Sequence, residues 1–131
     1  MRVNRLAVMV AVMLAAAAHA SEPDWRALAS QTNEALAAAV GESARGRPVA
    51  GRLRAAIAAC DRLLAGAPLS PRDRARVLHN RGVANLELGD PGAAVLDLRR
   101  ADAFAPGVSA THRELAAARA RVNKPAGGPG E

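Results

Sequence analysis

The sequence predicts an all-helical fold built from antiparallel helix hairpins. Three observations carry that expectation. The first is composition: half of the 131 residues are apolar, but only one Trp and one Phe are present and Tyr is absent. Much of the rest is alanine, the strongest helix former and one that buries little area, so a thin helical core follows. The second is spacing, since apolar residues recur three and four apart between breaks rich in Gly and Pro. The third is the stretch Ala75–Pro106, where two helical patterns flank Gly89-Asp90-Pro91. Gly and Asp suit a helix exit, Pro suits the first turn of the next helix, and so short a turn brings two helices back antiparallel.

The elements follow in order. Residues 1–20 read as a secretory signal peptide: Arg2 and Arg5, an uncharged apolar run Leu6–Ala18, and Ala18-His19-Ala20 before Ser21. The alternative is an uncleaved membrane anchor, for which thirteen apolar residues are short against the ~20 that span a bilayer. No Cys stands at the junction for lipid attachment. Ala- and Arg-rich usage fits a bacterium with a GC-rich genome, which makes the periplasm the expected destination, with secretion the other possibility. Cleavage after Ala20 removes two arginines and lowers the formal charge from +6 to +4.

Pro23 and Asp24 start a helix expected to end at Val40, with a stripe of Trp25, Leu28, Ala29, Ala35, Leu36, Ala39 and Val40. Trp25 is expected as a core plug rather than a ligand contact. Gly41–Gly51 reads as a mobile connection, with three Gly and one Pro. A second helix is expected from Arg52 to Ala65, on a stripe of Leu53, Ala56, Ile57, Cys60, Leu63 and Leu64. Ser70, Pro71 and Asp73 form a start signal for the next helix: cap, first position, and the acid three residues on. In the central hairpin Gly82, Ala94 and Ala101 are small residues placed where two helix axes can come close. Ser109 is expected to cap a last helix that ends at Val122, and Asn123–Glu131 reads as a disordered tail.

Ala75–Pro106 resembles a tetratricopeptide repeat, a helix-turn-helix unit of about 34 residues. Its small first-helix residue falls on Gly82, its turn glycine on Gly89, its second-helix positions on Ala94, Leu98 and Ala101, and its closing proline on Pro106. Leu78 stands where that family often has Trp, and Asn85 where it usually has Tyr, so a less tightly filled joint is implied. Ala56, Cys60, Leu63 and Pro68 repeat the spacing of Ala94, Leu98, Ala101 and Pro106. A degenerate unit over about 24–68 therefore precedes the clear one at 75–106, and 109–122 caps the array. The resemblance implies a short right-handed solenoid over 21–122. It also implies a groove, lined by the first helices, that binds a peptide or another protein. Carried over, Arg76, His79, Asn80, Val83 and Glu87 line that groove, with Arg113 and Ala117 on the next helix. Arg76 and Asn80, four apart, can hold a carbonyl or carboxylate together.

No catalytic constellation is expected. Cys60 is the only cysteine, so an intramolecular disulfide is excluded; it is read as a buried small hydrophobe, although an exported lone Cys can pair with another chain. Once His19 leaves with the leader, His79 and His112 have no partner at metal-ligand spacing. The arginines are read mostly as a solvated helical surface, and without interleaved aromatics they make no nucleic-acid platform. No cofactor is implied. The expected function is a non-enzymatic scaffold or adaptor in the periplasm. The alternative is a membrane-surface protein held by an uncleaved N-terminal segment.

Overall fold

A computed structural model of the chain describes residues 23–124. Residues 1–22, with the expected signal peptide at 1–20, and residues 125–131 of the expected tail lie outside the described residues. Among those described, five helices follow one another and no strand occurs: α1 Trp25–Ala44, α2 Ala50–Gly66, α3 Pro71–Glu87, α4 Pro91–Phe104 and α5 Ser109–Asn123. The fold class is all-α. Connections of three to five residues join the helices, and links this short force neighbours antiparallel.

Local chemistry sets most helix ends. Asp24 caps α1 by accepting from the Ala27 amide at 3.0 Å. Ser70 Oγ accepts from the Asp73 amide at 3.1 Å and donates to Asp73 Oδ2 at 2.8 Å, so both members of the start signal are engaged. Asp90 belongs to the start of α4 rather than to the exit of α3, because its carboxylate accepts from the Ala93 amide at 3.1 Å. Gly89 makes the exit, at φ +87°. The Gly89 amide bonds Leu86 O and the Asp90 amide bonds Asn85 O, the paired closure of a helix that ends on a left-handed residue.

Four expected boundaries are corrected. α1 continues to Ala44, four residues past Val40, and takes Gly41 into the helix. Gly46, not Gly41, sits at positive φ, and the Gly46 and Arg47 amides close the helix on Ser43 and Glu42. The expected mobile stretch of eleven residues is thus a five-residue turn, knitted by Glu42 to Arg45 and Arg47 at 3.2 and 2.6 Å. α2 begins at Ala50 with Val49 as its uncapped first boundary. Ser109 does not cap α5: Val108 holds that position with no side-chain bond, and Gly107 at φ +79° makes the bend. Asn123, assigned to the tail, is the last residue of α5.

Each helix packs on the next, and the α3–α4 contact is the most extensive. α3 also touches both α1 and α5, whereas α2 and α4 make no backbone approach to one another. The odd helices therefore form one layer and the even helices flank it. α3 contributes to all three apolar clusters: Ala84 with Leu36, Ala39 and Leu53, Leu86 with Leu98 and Leu115, and Val77 with Cys60 and Leu63. Ala35 is exposed, against expectation. Thr32, four residues from both Leu28 and Leu36 on the same stripe, is buried and donates its hydroxyl to Leu28 O at 2.6 Å. On α5, Ala118 takes a buried place and Ala116 faces solvent.

The central hairpin closes where small residues permit it. Gly82 is buried, and a Cβ there would lie 2.8 Å from Leu98 Cγ and 3.4 Å from Asp97 Cβ. Ala94, Leu98 and Ala101 are all buried opposite. At the other end Trp25 lies against Gly66, whose Cβ would come within 2.8 Å of the indole. Both joints depend on a missing methyl group.

Candidate partner-binding groove

The odd layer presents a cavity of about 660 Å³ bounded by α1, α3 and α5. Leu36 and Val40 from α1, Val83 from α3, and Val108 beside α5 give it an apolar lining. α3 crosses it as a polar row of Arg72, Arg76, His79 and Asn80, in which Arg76 lies four residues from Arg72 and Asn80 and three from His79, spacings that share one side of a helix. The same helix turns Leu78, Gly82 and Leu86 inward, so its periodicity sets both faces.

Two side-chain bonds span the groove. Asn80 donates its amide to Asn33 Oδ1, tying α3 to α1. His79 Nδ1 and Thr111 Oγ1 lie 3.1 Å apart, tying α3 to α5. Burial pushes the His79 pKa below 6.5, because desolvation disfavours the imidazolium; Glu114 on α5 pulls the other way. The ring is held in its neutral form at the seam. Arg76 is exposed, with only a 3.7 Å contact to Asp73. A guanidinium so placed can turn toward a ligand at little cost.

Arg76, His79, Asn80 and Val83 therefore share one groove. Glu87 and Arg113 do not line it. Glu87 lies one turn beyond Val83 and accepts from Ser43 Oγ at 3.1 Å, so it ties the far ends of α1 and α3 together. Arg113 faces solvent, because its neighbours Thr111 and Glu114 take the inward side of α5. Ala117 is exposed as well. Arg72 was not among the expected residues, although its four-residue spacing from Arg76 is visible in the sequence. Asn33 and Thr111 carry no such signal, because their partners are on other helices.

The opposite face carries ions rather than a groove. Arg81 donates Nε to Asp97 Oδ2 at 2.8 Å, Nη2 to Asp97 Oδ1 at 2.7 Å, and Nη1 to Asp61 Oδ1 at 2.7 Å. Asn85 adds a 3.5 Å contact to the same carboxylate. Asp97 is almost fully buried, and its hydrogen bond to Arg81 pushes the arginine pKa further up. Arg81 is thus not part of a solvated arginine surface. Cys60 lies nearby, 1% exposed, with burial pushing its thiol up to about 12. Such a thiol is not a nucleophile at neutral pH. On the outer edge His112 and Asp102 pair at 2.7 Å, and that bond holds the Asp102 carboxyl below its ordinary range.

No protein-family model matches the chain, and no solved structure matches it significantly. Among the described residues no group of three His, Cys, Asp or Glu side chains is placed to hold a metal, and no helix is long and apolar enough to cross a membrane.

Proposed function

We propose that this chain is a non-enzymatic interaction module, exported to the bacterial periplasm, that captures a peptide or partner protein in the groove between α1, α3 and α5. The observation that carries this reading is the groove itself: an apolar floor crossed by Arg72, Arg76, His79 and Asn80, with Arg76 exposed and lightly paired. That combination supplies desolvated contact area and a few placed hydrogen-bond donors, as recognition surfaces do. The proposed arrangement is a short right-handed stack of tetratricopeptide-like hairpins, with α5 as the cap. The close approach of Gly82 to Leu98 and the layering of the odd helices support it.

The experiment pairs Arg76→Ala with Asn80→Ala in one variant. Exposed substitutions usually leave stability within ~0.5 kcal/mol, whereas removing binding anchors costs over ~1 kcal/mol of affinity. Arg76 is exposed, but Asn80→Ala also removes the tie to Asn33, so the variant should melt slightly below wild type, by the ~1 kcal/mol of one hydrogen bond, and lose capture of the native partner in a pull-down from periplasmic extract. A variant that folds normally and retains its partners at wild-type levels would move binding off this groove. N-terminal sequencing of the exported protein should begin at Ser21; a chain that still begins at Met1 would favour the membrane-anchored alternative.

A further inference from the structure

The outer side of α4 belongs neither to the core nor to the groove. Its exposed residues are Gly92, Leu96, Arg99, Arg100, Ala103 and Phe104. Arg100, Ala103 and Phe104 follow Leu96 by four, seven and eight residues, spacings that share one side of a helix, and Arg99 borders them. Leu96 is 58% exposed, the most of any large apolar residue among those described, and Phe104 is 44% exposed. None of the six lines the groove, or the smaller cavity of about 500 Å³ at the amino-terminal end. This side therefore suits a flat partner rather than an inserted one.

No acid is among the six. Arg74 of α3 joins them, its guanidinium 5.9 Å over the Phe104 ring. Arg74, Arg99 and Arg100 have no ion pair among the described residues. Of the acids in or beside this stretch, Asp97 is buried on Arg81 and Asp73 faces Arg76. Only Asp102, at the flank and bonded to His112, stands against the three arginines. The side thus combines exposed apolar groups with a positive excess. A two-fold contact with a second copy would set these arginines against their own copies. A bilayer rich in anionic lipid instead offers phosphates to the guanidinium groups and hydrocarbon just beneath them to Leu96 and Phe104. We infer that the outer side of α4 docks on an anionic lipid surface, with Leu96 and Phe104 entering the headgroup boundary and Arg74, Arg99 and Arg100 on the phosphates. Arginine suits that boundary because its stem is apolar and its head is charged. The contact uses no residue of the groove and needs no leader segment.

The test uses the chain that begins at Ser21, so that the apolar run before it contributes nothing. The protein is sedimented with vesicles of equal parts phosphatidylglycerol and phosphatidylcholine, or of phosphatidylcholine alone. It should pellet with the anionic vesicles at ~0.1 M salt and stay in solution with the neutral ones. Binding should be lost at ~1 M salt, where the screening length falls to ~3 Å. Arg99→Gln combined with Arg100→Gln should weaken binding by about fivefold per arginine, roughly thirtyfold for the pair. Leu96→Ser combined with Phe104→Ser should weaken it as well, although the charge is untouched. Arg113→Gln combined with Arg119→Gln removes the same charge from the exposed side of α5 and should change little. All six side chains are exposed, so each variant should keep wild-type helicity. No pelleting, equal pelleting with neutral vesicles, or full binding by the serine variant would each overturn the inference. Equal losses from the two arginine pairs would overturn it too, because net charge and not α4 would then be the attractor. Binding to polyglutamate without binding to vesicles would assign this side of α4 to an acidic protein instead.

Discussion

His79 shows how one residue reports on its surroundings. Its neutral ring bridges α3 to Thr111 on α5, and burial lowers its pKa below 6.5. The unfolded histidine titrates near 6.5, so on acidification the unfolded chain takes up its proton first. Stability then falls as pH drops through that value, and goes on falling until the lower folded pKa is passed. The melting midpoint should therefore decrease between about pH 8 and about pH 5, the range in which an ordinary histidine titrates. Asp102, held below its ordinary range, acts only at more acidic pH and does not overlap this window. His79→Gln should flatten the profile across the window while keeping a polar partner for Thr111. An unchanged slope in that variant would assign the pH dependence to another group.

At the scale of helices, the sequence was legible where punctuation is local. Ser70-Pro71, Asp90-Pro91 and Gly89 each do their work within four residues, so the start of α3 and the α3–α4 turn could be read directly. The misplaced ends are those where two local signals compete. Gly41 and Gly46 both permit a stop, and only Gly46 adopts the left-handed turn that closes the helix on Glu42 and Ser43. Glycine in a helix costs only ~1 kcal/mol relative to alanine, which packing readily offsets, so Gly41 is carried through. Gly82 and Gly51 turn that into a paired prediction. Alanine at either position gains up to ~1 kcal/mol of helix propensity. At Gly51 a Cβ meets nothing within 4 Å, so Gly51→Ala should raise the melting midpoint. At Gly82 the Cβ meets Leu98, which is itself fully buried and has nowhere to go. Overpacking of that kind costs ~1–3 kcal/mol, so Gly82→Ala should lower the midpoint, and Gly82→Leu should lower it further. Thermal melts of the three variants against wild type decide it, and a raised midpoint for Gly82→Ala would mean that the α3–α4 joint is looser than its geometry.

For the whole molecule, the two faces differ in what they hold. The odd helices supply most of the lining of the larger cavity, and the even helices are tied together from behind. α2 and α4 make no backbone approach to one another, yet Asp61 on α2 and Asp97 on α4 both bond Arg81 on the helix between them. This tie was invisible in the sequence, as were Asn33 and Thr111 in the groove. Residues sixteen to forty-seven positions apart are joined in these pairs, and helical periodicity can place a residue on a face without naming its partner. Arg81 fell among the arginines read as a solvated surface, and Asp97 carried no signal of its own. The stack should therefore be most sensitive at Arg81. Removing one partner of a buried ion pair typically costs ~3–5 kcal/mol, because the other charge is left unpaired. Arg81 is 22% exposed, so water can reach the site and the loss in Arg81→Ala should fall toward or below the low end of that range. Arg81→Met combined with Asp97→Leu removes both charges and fills the space with apolar atoms, an exchange that is often neutral or stabilising. The double variant should thus be more stable than Arg81→Ala, and Asp61→Ala, at an exposed carboxylate, should change little. Chemical denaturation of the three proteins reads the order directly; if Asp61→Ala costs as much as Arg81→Ala, the bond between α2 and α3, rather than the buried pair with α4, is what holds the even helices.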